Sequence, residues 1–70
     1  MKISARNALK GTITRITPGI VNAEVVITLP DGQQIVAVIT LASADALGLR
    51  VGQEAYAVIK ASDVMVGVDH

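Results

Sequence analysis

The chain has 70 residues, with six Lys and Arg, six Asp and Glu, and no cysteine, so it can form one small domain and no disulfide. Its formal net charge of zero at pH 7 argues against binding nucleic acid by bulk neutralisation of phosphates. Because 51% of the residues are hydrophobic, a disordered chain is excluded.

These values also predict self-association. A domain of this length buries only about 60% of the surface of its unfolded chain, so one copy alone would be marginally stable. The sequence has no disulfide and no Cys and His set for a structural zinc ion. Small apolar chains without such supports commonly associate, so we expect a homo-oligomer.

The expected location is the cytoplasm, without contact to a membrane. The N-terminal residues lack the apolar core of a secretory signal. No apolar run approaches the roughly 20 residues that span a bilayer.

β-branched residues dominate and predict strands in the first half of the chain. The first strand, 8–17, ends at the turn Pro18-Gly19. The second and third strands, 20–29 and 34–40, are joined by Pro30-Asp31-Gly32, a sequence typical of a hairpin turn.

A short helix follows at 41–47, since this Ala-rich segment is the only one of helical composition. Thr40 or Ser43 could cap its start, and Gly48 its end. Further strands are predicted at 54–60 and 64–68. Five strands with a helix between the third and fourth predict an all-β fold, a small five-stranded OB-like barrel, with 1–70 as a single domain.

The predicted hairpin is apolar on both faces. Residues 35–39 form a continuous apolar run. The successive residues Val25, Val26 and Ile27 place apolar side chains on both faces of the second strand. A barrel interior covers only one face, so the pattern favours partner subunits on the other. The alternative is that small residues such as Ala37 tolerate exposure.

The sequence offers little for catalysis. Its only histidine, His70, is the terminal residue, and the acidic residues are scattered along the chain. Neither a P-loop nor a GxGxxG pattern is present. We expect neither an enzyme nor a site for a metal cation.

Hydrogen-bond donors instead cluster in 4–7, 40–43 and 60–62, close to the ends of predicted elements. Taken singly, these residues are explained as surface charges, helix caps and turn formers. Taken together, they are two cations and several hydroxyls, and with a helix N-terminus they would suit an anion.

Several of these segments form recognisable motifs, in order and with matching spacing over nearly the whole chain. They are Ser4-Ala5-Arg6-Asn7 followed by Leu9-Lys10-Gly11, the stretch 19–26, Ile39-Thr40 with Ser43, Leu47-Gly48-Leu49, and the stretch 60–65. This set resembles the molbindin family, the small molybdate-binding Mop proteins. The same module is known as the TOBE domain in molybdate-responsive regulators and transporter ATPases.

The resemblance implies OB-like subunits that assemble as a hexamer, a trimer of dimers, and store or buffer molybdate or tungstate between subunits without a cofactor. One subunit would contribute Ser4, Arg6 and the Asn7 region, and a neighbour Thr40, Ser43 and Lys60. The implied oxyanion-binding set is Ser4, Ala5, Arg6, Asn7, Thr40, Ser43, Lys60, Ala61 and Ser62. The backbone of Ile20, Val21 and Asn22 would form a second, axial oxyanion site near the threefold axes.

Two alternatives remain open at this point. An OB-fold module for single-stranded nucleic acid would need stacking aromatics and a positive groove, whereas Tyr56 is the only aromatic residue. A purely structural assembly subunit would instead place Arg6 and Lys60 in salt bridges at an interface.

Overall fold

The computed structural model describes residues 1–69, which form one curled antiparallel sheet with a single α-helix. The sheet has four strands in the order β3-β2-β1-β4. The strands are β1 (Asn7–Pro18), β2 (Asn22–Thr28), β3 (Gln34–Thr40) and β4 (Glu54–Ile59). Helix α1 (Leu41–Leu47) follows β3, and a 3₁₀ turn (Ala61–Asp63) follows β4.

Strand β1 curls the sheet because it has different neighbours along its length. Its first half pairs with β4, from Asn7 opposite Ile59 to Thr12 opposite Glu54. Its second half pairs with β2, and the register shifts between Ile13 and Arg15. Such an irregularity bends a strand and increases its twist, which allows one long strand to serve two neighbours.

The predicted hairpin between β2 and β3 is confirmed. The backbone N–H of Gly32 donates to the carbonyl of Leu29 at 2.9 Å, and Gly32 has a φ of 91°. Residues 35–39 alternate between half-buried and exposed side chains. Ala37 therefore faces the interior, and the outer face of β3 presents Val36 and Val38, which are 57% and 66% exposed.

Helix α1 begins and ends as its sequence predicts. The Thr40 hydroxyl accepts a hydrogen bond from the backbone N–H of Ser43 at 3.0 Å and so caps the first turn. Gly48 adopts the left-handed conformation, φ 63°, and its N–H donates to the last carbonyls of the helix. This is the only α-helix in residues 1–69, and it is too short to cross a membrane.

The buried core is small and lies inside the curl of the sheet. Ile13, Val25, Ile27 and Ala57 form its centre. Beside them a cavity of about 410 Å³ remains open, lined mainly by apolar side chains, including those of Ile39 and Leu49. The interior of the sheet is thus only partly filled by the chain's own side chains.

The all-β prediction is confirmed, but the fifth strand predicted at 64–68 is not found. The C-terminal segment, residues 64–69, belongs to no strand or helix and is exposed throughout. A strand requires a hydrogen-bonded neighbour, and nothing in residues 1–69 pairs with this segment. The segment is rich in β-branched residues, but it forms no strand because residues 1–69 offer it no partner strand.

Candidate functional site

A cleft of about 360 Å³ lies where β1 starts and β4 ends. Because these strands are antiparallel and Asn7 pairs with Ile59, the chain before β1 and the chain after β4 emerge side by side. The cleft is lined by Ser4, Ala5, Arg6, Lys60, Ala61 and Ser62. All six belong to the nine residues that the family resemblance implied for an oxyanion site.

Two cationic side chains line the cleft, and no acidic residue among 1–69 does. Arg6 and Lys60 both line it, and within residues 1–69 neither takes part in a salt bridge. The ion pairs found within residues 1–69 lie outside the cleft. They join Lys10 Nζ to Glu54 Oε1 at 2.7 Å and Arg15 Nη2 to Glu24 Oε1 at 3.4 Å. Within the described residues, therefore, no salt bridge compensates the positive charge of the cleft.

The polar groups of the cleft are mostly hydrogen-bond donors. The guanidinium of Arg6 and the ammonium of Lys60 only donate, and the Ser4 and Ser62 hydroxyls can donate as well. In the 3₁₀ turn, the Lys60 carbonyl accepts from the backbone N–H of Asp63 at 2.9 Å, so this oxygen is already engaged. The arrangement suits a small anion that offers several acceptor atoms.

Asn7 stands beside the cleft but does not line it. Its side-chain Nδ2 donates a hydrogen bond to the Ile59 carbonyl at 3.3 Å, and the side chain is half-buried. Asn7 was predicted to belong to the oxyanion site. In the single chain its side chain links β1 and β4, the two strands that lead into the cleft.

Thr40 and Ser43 lie outside this cleft in the single chain. Besides capping α1, Thr40 Oγ1 donates a hydrogen bond to Ser43 Oγ at 2.8 Å. The Ser43 hydroxyl acts as acceptor in that bond, so its own hydrogen stays available for another partner.

The division of the site between subunits stays a prediction, but the single chain already brings together two of the residues concerned. The resemblance implied that Arg6 and Lys60 come from different subunits, whereas a single chain brings both into one cleft. The physical reason is the pairing of β1 with β4, which the sequence did not reveal. A contribution of Thr40 and Ser43 from another copy stays a prediction.

Of the residues predicted for an axial site, Ile20 and Val21 lie between β1 and β2, and Asn22 is the first residue of β2. Ile20 and Val21 are 97% and 68% exposed, and Asn22 pairs with Thr40 across β2 and β3. The Val21 carbonyl accepts a hydrogen bond from the Leu41 N–H at 2.9 Å. This segment is therefore close to the start of α1 and separate from the cleft.

Other kinds of site find little support in the described part of the chain. No group of three His, Cys, Asp or Glu residues among 1–69 could hold a metal ion. Tyr56 lies on β4, is 46% exposed and does not line the cleft. His70 lies outside the described residues.

Comparison with known proteins identifies the family of the chain. Residues 3–66 match the model of the TOBE domain family. The chain is 52% identical over 69 residues to a probable molybdenum-pterin-binding protein of Haemophilus influenzae, covering 99% of this chain and 100% of that protein.

Two solved structures share the fold. MopII from Clostridium pasteurianum superposes with a TM-score of 0.91 at 43% identity, covering 96% of this chain and 100% of that chain. The cytoplasmic molybdate-binding protein ModG, with molybdate bound, gives a TM-score of 0.93 at 46% identity, covering 99% of this chain and 49% of that chain. The chain therefore belongs to the TOBE domain family and is a homologue of the molybdenum-pterin-binding proteins.

Proposed function

We propose that the chain binds molybdate or tungstate and stores or buffers these oxyanions in the cytoplasm, without catalysing a reaction. The observation that carries this proposal is the cleft that Arg6 and Lys60 line, with no acidic residue of the described part of the chain in its lining. The homologue ModG, whose structure contains molybdate, supports this choice of anion.

The chemistry of the cleft explains a preference among anions. Molybdate is a tetrahedral dianion that only accepts hydrogen bonds near neutral pH, so it matches a set of donors. Hydrogen phosphate carries a proton that needs an acceptor, and leaving that proton unpaired costs about 1–3 kcal/mol if it is buried. Tungstate has nearly the same size as molybdate, so we expect little discrimination between them.

Sulfate must be discriminated differently, because it has the charge and shape of molybdate and lacks a proton at this pH. Only its smaller size distinguishes it. The spacing between the donors of the cleft must therefore carry this part of the specificity.

We further propose that a second copy of the chain completes the site. Five of the six lining residues are exposed in the single chain, so an anion there would remain largely hydrated and screened. A second copy that covered the cleft would exclude water. Its Ser43 hydroxyl, whose hydrogen is available, would add a donor, and Thr40 would hold that hydroxyl in place through its own hydrogen bond. In this arrangement Ser4, Arg6, Lys60 and Ser62 come from one copy.

The assembly we propose is a hexamer, a trimer of dimers. Its support is the apolar surface that one chain leaves exposed, including Val36, Val38 and Ile20. The backbone of the exposed segment Ile20, Val21 and Asn22 would then form the axial oxyanion site near the threefold axes.

The proposed function is tested by the thermal stability of the protein with molybdate, tungstate, sulfate and phosphate at equal ionic strength. We expect molybdate and tungstate to raise the melting temperature most. Equal shifts with all four anions would contradict a specific site.

The site itself is tested by Arg6→Ala in the same assay and by calorimetric titration with sodium molybdate. Losing a charged hydrogen-bond donor should weaken molybdate binding about 10- to 100-fold. Arg50→Ala is the matched control, because Arg50 is exposed and lies outside the cleft. If Arg6→Ala instead dissociates the oligomer, the purely structural role in interface salt bridges is supported.

A further inference from the structure

The two walls of the cleft are held together at one end only. The N-terminal wall is residues 4–6 and the C-terminal wall is residues 60–62. The last residue pair between β1 and β4 is Asn7 opposite Ile59. Beyond that pair, within residues 1–69, no hydrogen bond joins the two walls. Their separation is therefore set where they leave the sheet.

Asn7 occupies that point. Its Nδ2 donates to the Ile59 carbonyl at 3.3 Å, a bond between residues 52 positions apart in the sequence. Asn7 directly follows Arg6, and the accepting carbonyl belongs to the peptide unit that Ile59 shares with Lys60. One side-chain hydrogen bond thus connects the backbone next to one cation with the backbone next to the other.

We infer that Asn7 is a positioning residue, whose side-chain amide fixes the spacing between Arg6 and Lys60 and thereby the size of anion that the cleft prefers. The inference rests on the proposed function. Because charge and shape do not distinguish molybdate from sulfate, a loss of fixed spacing should reduce the preference between them. Asn7 would act in this way without touching the anion, since it does not line the cleft.

The test uses Asn7→Leu, which keeps the approximate shape of the side chain and removes its donor. Thr14→Val is the matched control, because it also replaces one cross-strand side-chain hydrogen bond, that of Thr14 Oγ1 with Thr28 Oγ1 at 2.8 Å, by an apolar group. Both variants of the full chain are titrated calorimetrically with sodium molybdate and with sodium sulfate at fixed ionic strength.

We expect Asn7→Leu to weaken molybdate binding about fivefold, the effect of one lost hydrogen bond, and to lower the ratio of molybdate to sulfate affinity. Thr14→Val should leave that ratio at the wild-type value. The ratio is the deciding quantity because a general loss of stability would lower both affinities together. If Asn7→Leu does not fold, Asn7→Ser, whose hydroxyl is too short to replace the amide, takes its place.

Two outcomes would overturn the inference in distinguishable ways. If the wild-type protein binds molybdate and the Asn7 variant keeps the wild-type affinity ratio, the positioning role is wrong and the proposed function stands. If the wild-type protein binds neither anion, the proposed function fails and the inference fails with it.

Discussion

Gly11 shows how strongly one position of β1 is constrained. It lies close to the point where β1 changes partners, since its neighbour Thr12 pairs with both β2 and β4. A Cβ atom at Gly11 would lie 2.6 Å from the Thr28 carbonyl oxygen and 2.8 Å from Ile27 Cγ2. The first of these neighbours is backbone, so it cannot move aside by changing rotamer.

Gly11→Ala should therefore destabilise the protein. Overpacking of this kind costs about 1–3 kcal/mol of unfolding free energy. Urea unfolding at fixed protein concentration measures it. Thr12→Ala, with an exposed side chain on the same strand, should change the value by only about 0.5 kcal/mol. An unchanged or raised free energy of unfolding in Gly11→Ala would show that β1 and β2 can move apart to accommodate the methyl group without loss of stability.

At the same scale, the resemblance to the molbindins implied all six residues of the cleft, but not their arrangement in one chain. Arg6 and Lys60 are far apart in the sequence, and no local turn brings them together. Their proximity depends on the pairing of β1 with β4, and a pattern of apolar residues does not state which strands pair. Thus the donors could be recognised by type, whereas their assignment to one chain required the structure.

The elements themselves were predicted well wherever local chemistry determines them. The hairpin turn has Pro30, Asp31 and Gly32, and α1 has a hydroxyl before it and a left-handed glycine after it. In each case a single residue type satisfies a specific backbone requirement. The predicted fifth strand fails for the opposite reason, because its composition is suitable but residues 1–69 offer it no hydrogen-bonding partner.

The hairpin turn also predicts a dependence on pH. Asp31 Oδ1 accepts a hydrogen bond from the backbone N–H of Gln33 at 3.1 Å, and Oδ2 accepts one from Gln33 Nε2 at 2.7 Å. These bonds, the backbone one first, stabilise the carboxylate and hold the pKa of Asp31 below its ordinary value of 3.8. The stabilisation is thus present above pH 3.8 and lost as the pH falls through the lower pKa of the folded state.

We expect a nuclear magnetic resonance titration to place the pKa of Asp31 below 3.8. In Gln33→Ala, which removes the Nε2 donor and keeps the backbone N–H, the pKa should rise part of the way towards that value. A wild-type pKa at or above 3.8 would mean that the turn does not hold the carboxylate as described.

For the whole molecule, the main feature is that one chain only partly fills the interior of its curled four-stranded sheet. The cavity of about 410 Å³ opens beside the core, and the outer valines of β3 face solvent. The C-terminal segment adds Met65 and Val66, exposed by 93% and 91%. Monomeric proteins rarely combine so small a core with so much exposed apolar surface, and the same surface supports the proposed oligomer.

If a second copy completes the cleft, molybdate must bind the assembly more tightly than the separate chain, and it should therefore oppose dissociation. For a site present only in the assembly, a hundredfold excess of ligand over its dissociation constant contributes about 2.7 kcal/mol. We expect native mass spectrometry over a dilution series to show the oligomer persisting to lower protein concentration with sodium molybdate than with sodium sulfate. Arg6→Ala should remove this difference, while Arg50→Ala should keep it. If molybdate binds but leaves the dissociation concentration unchanged, the site is complete within one chain and the second copy contributes nothing to it.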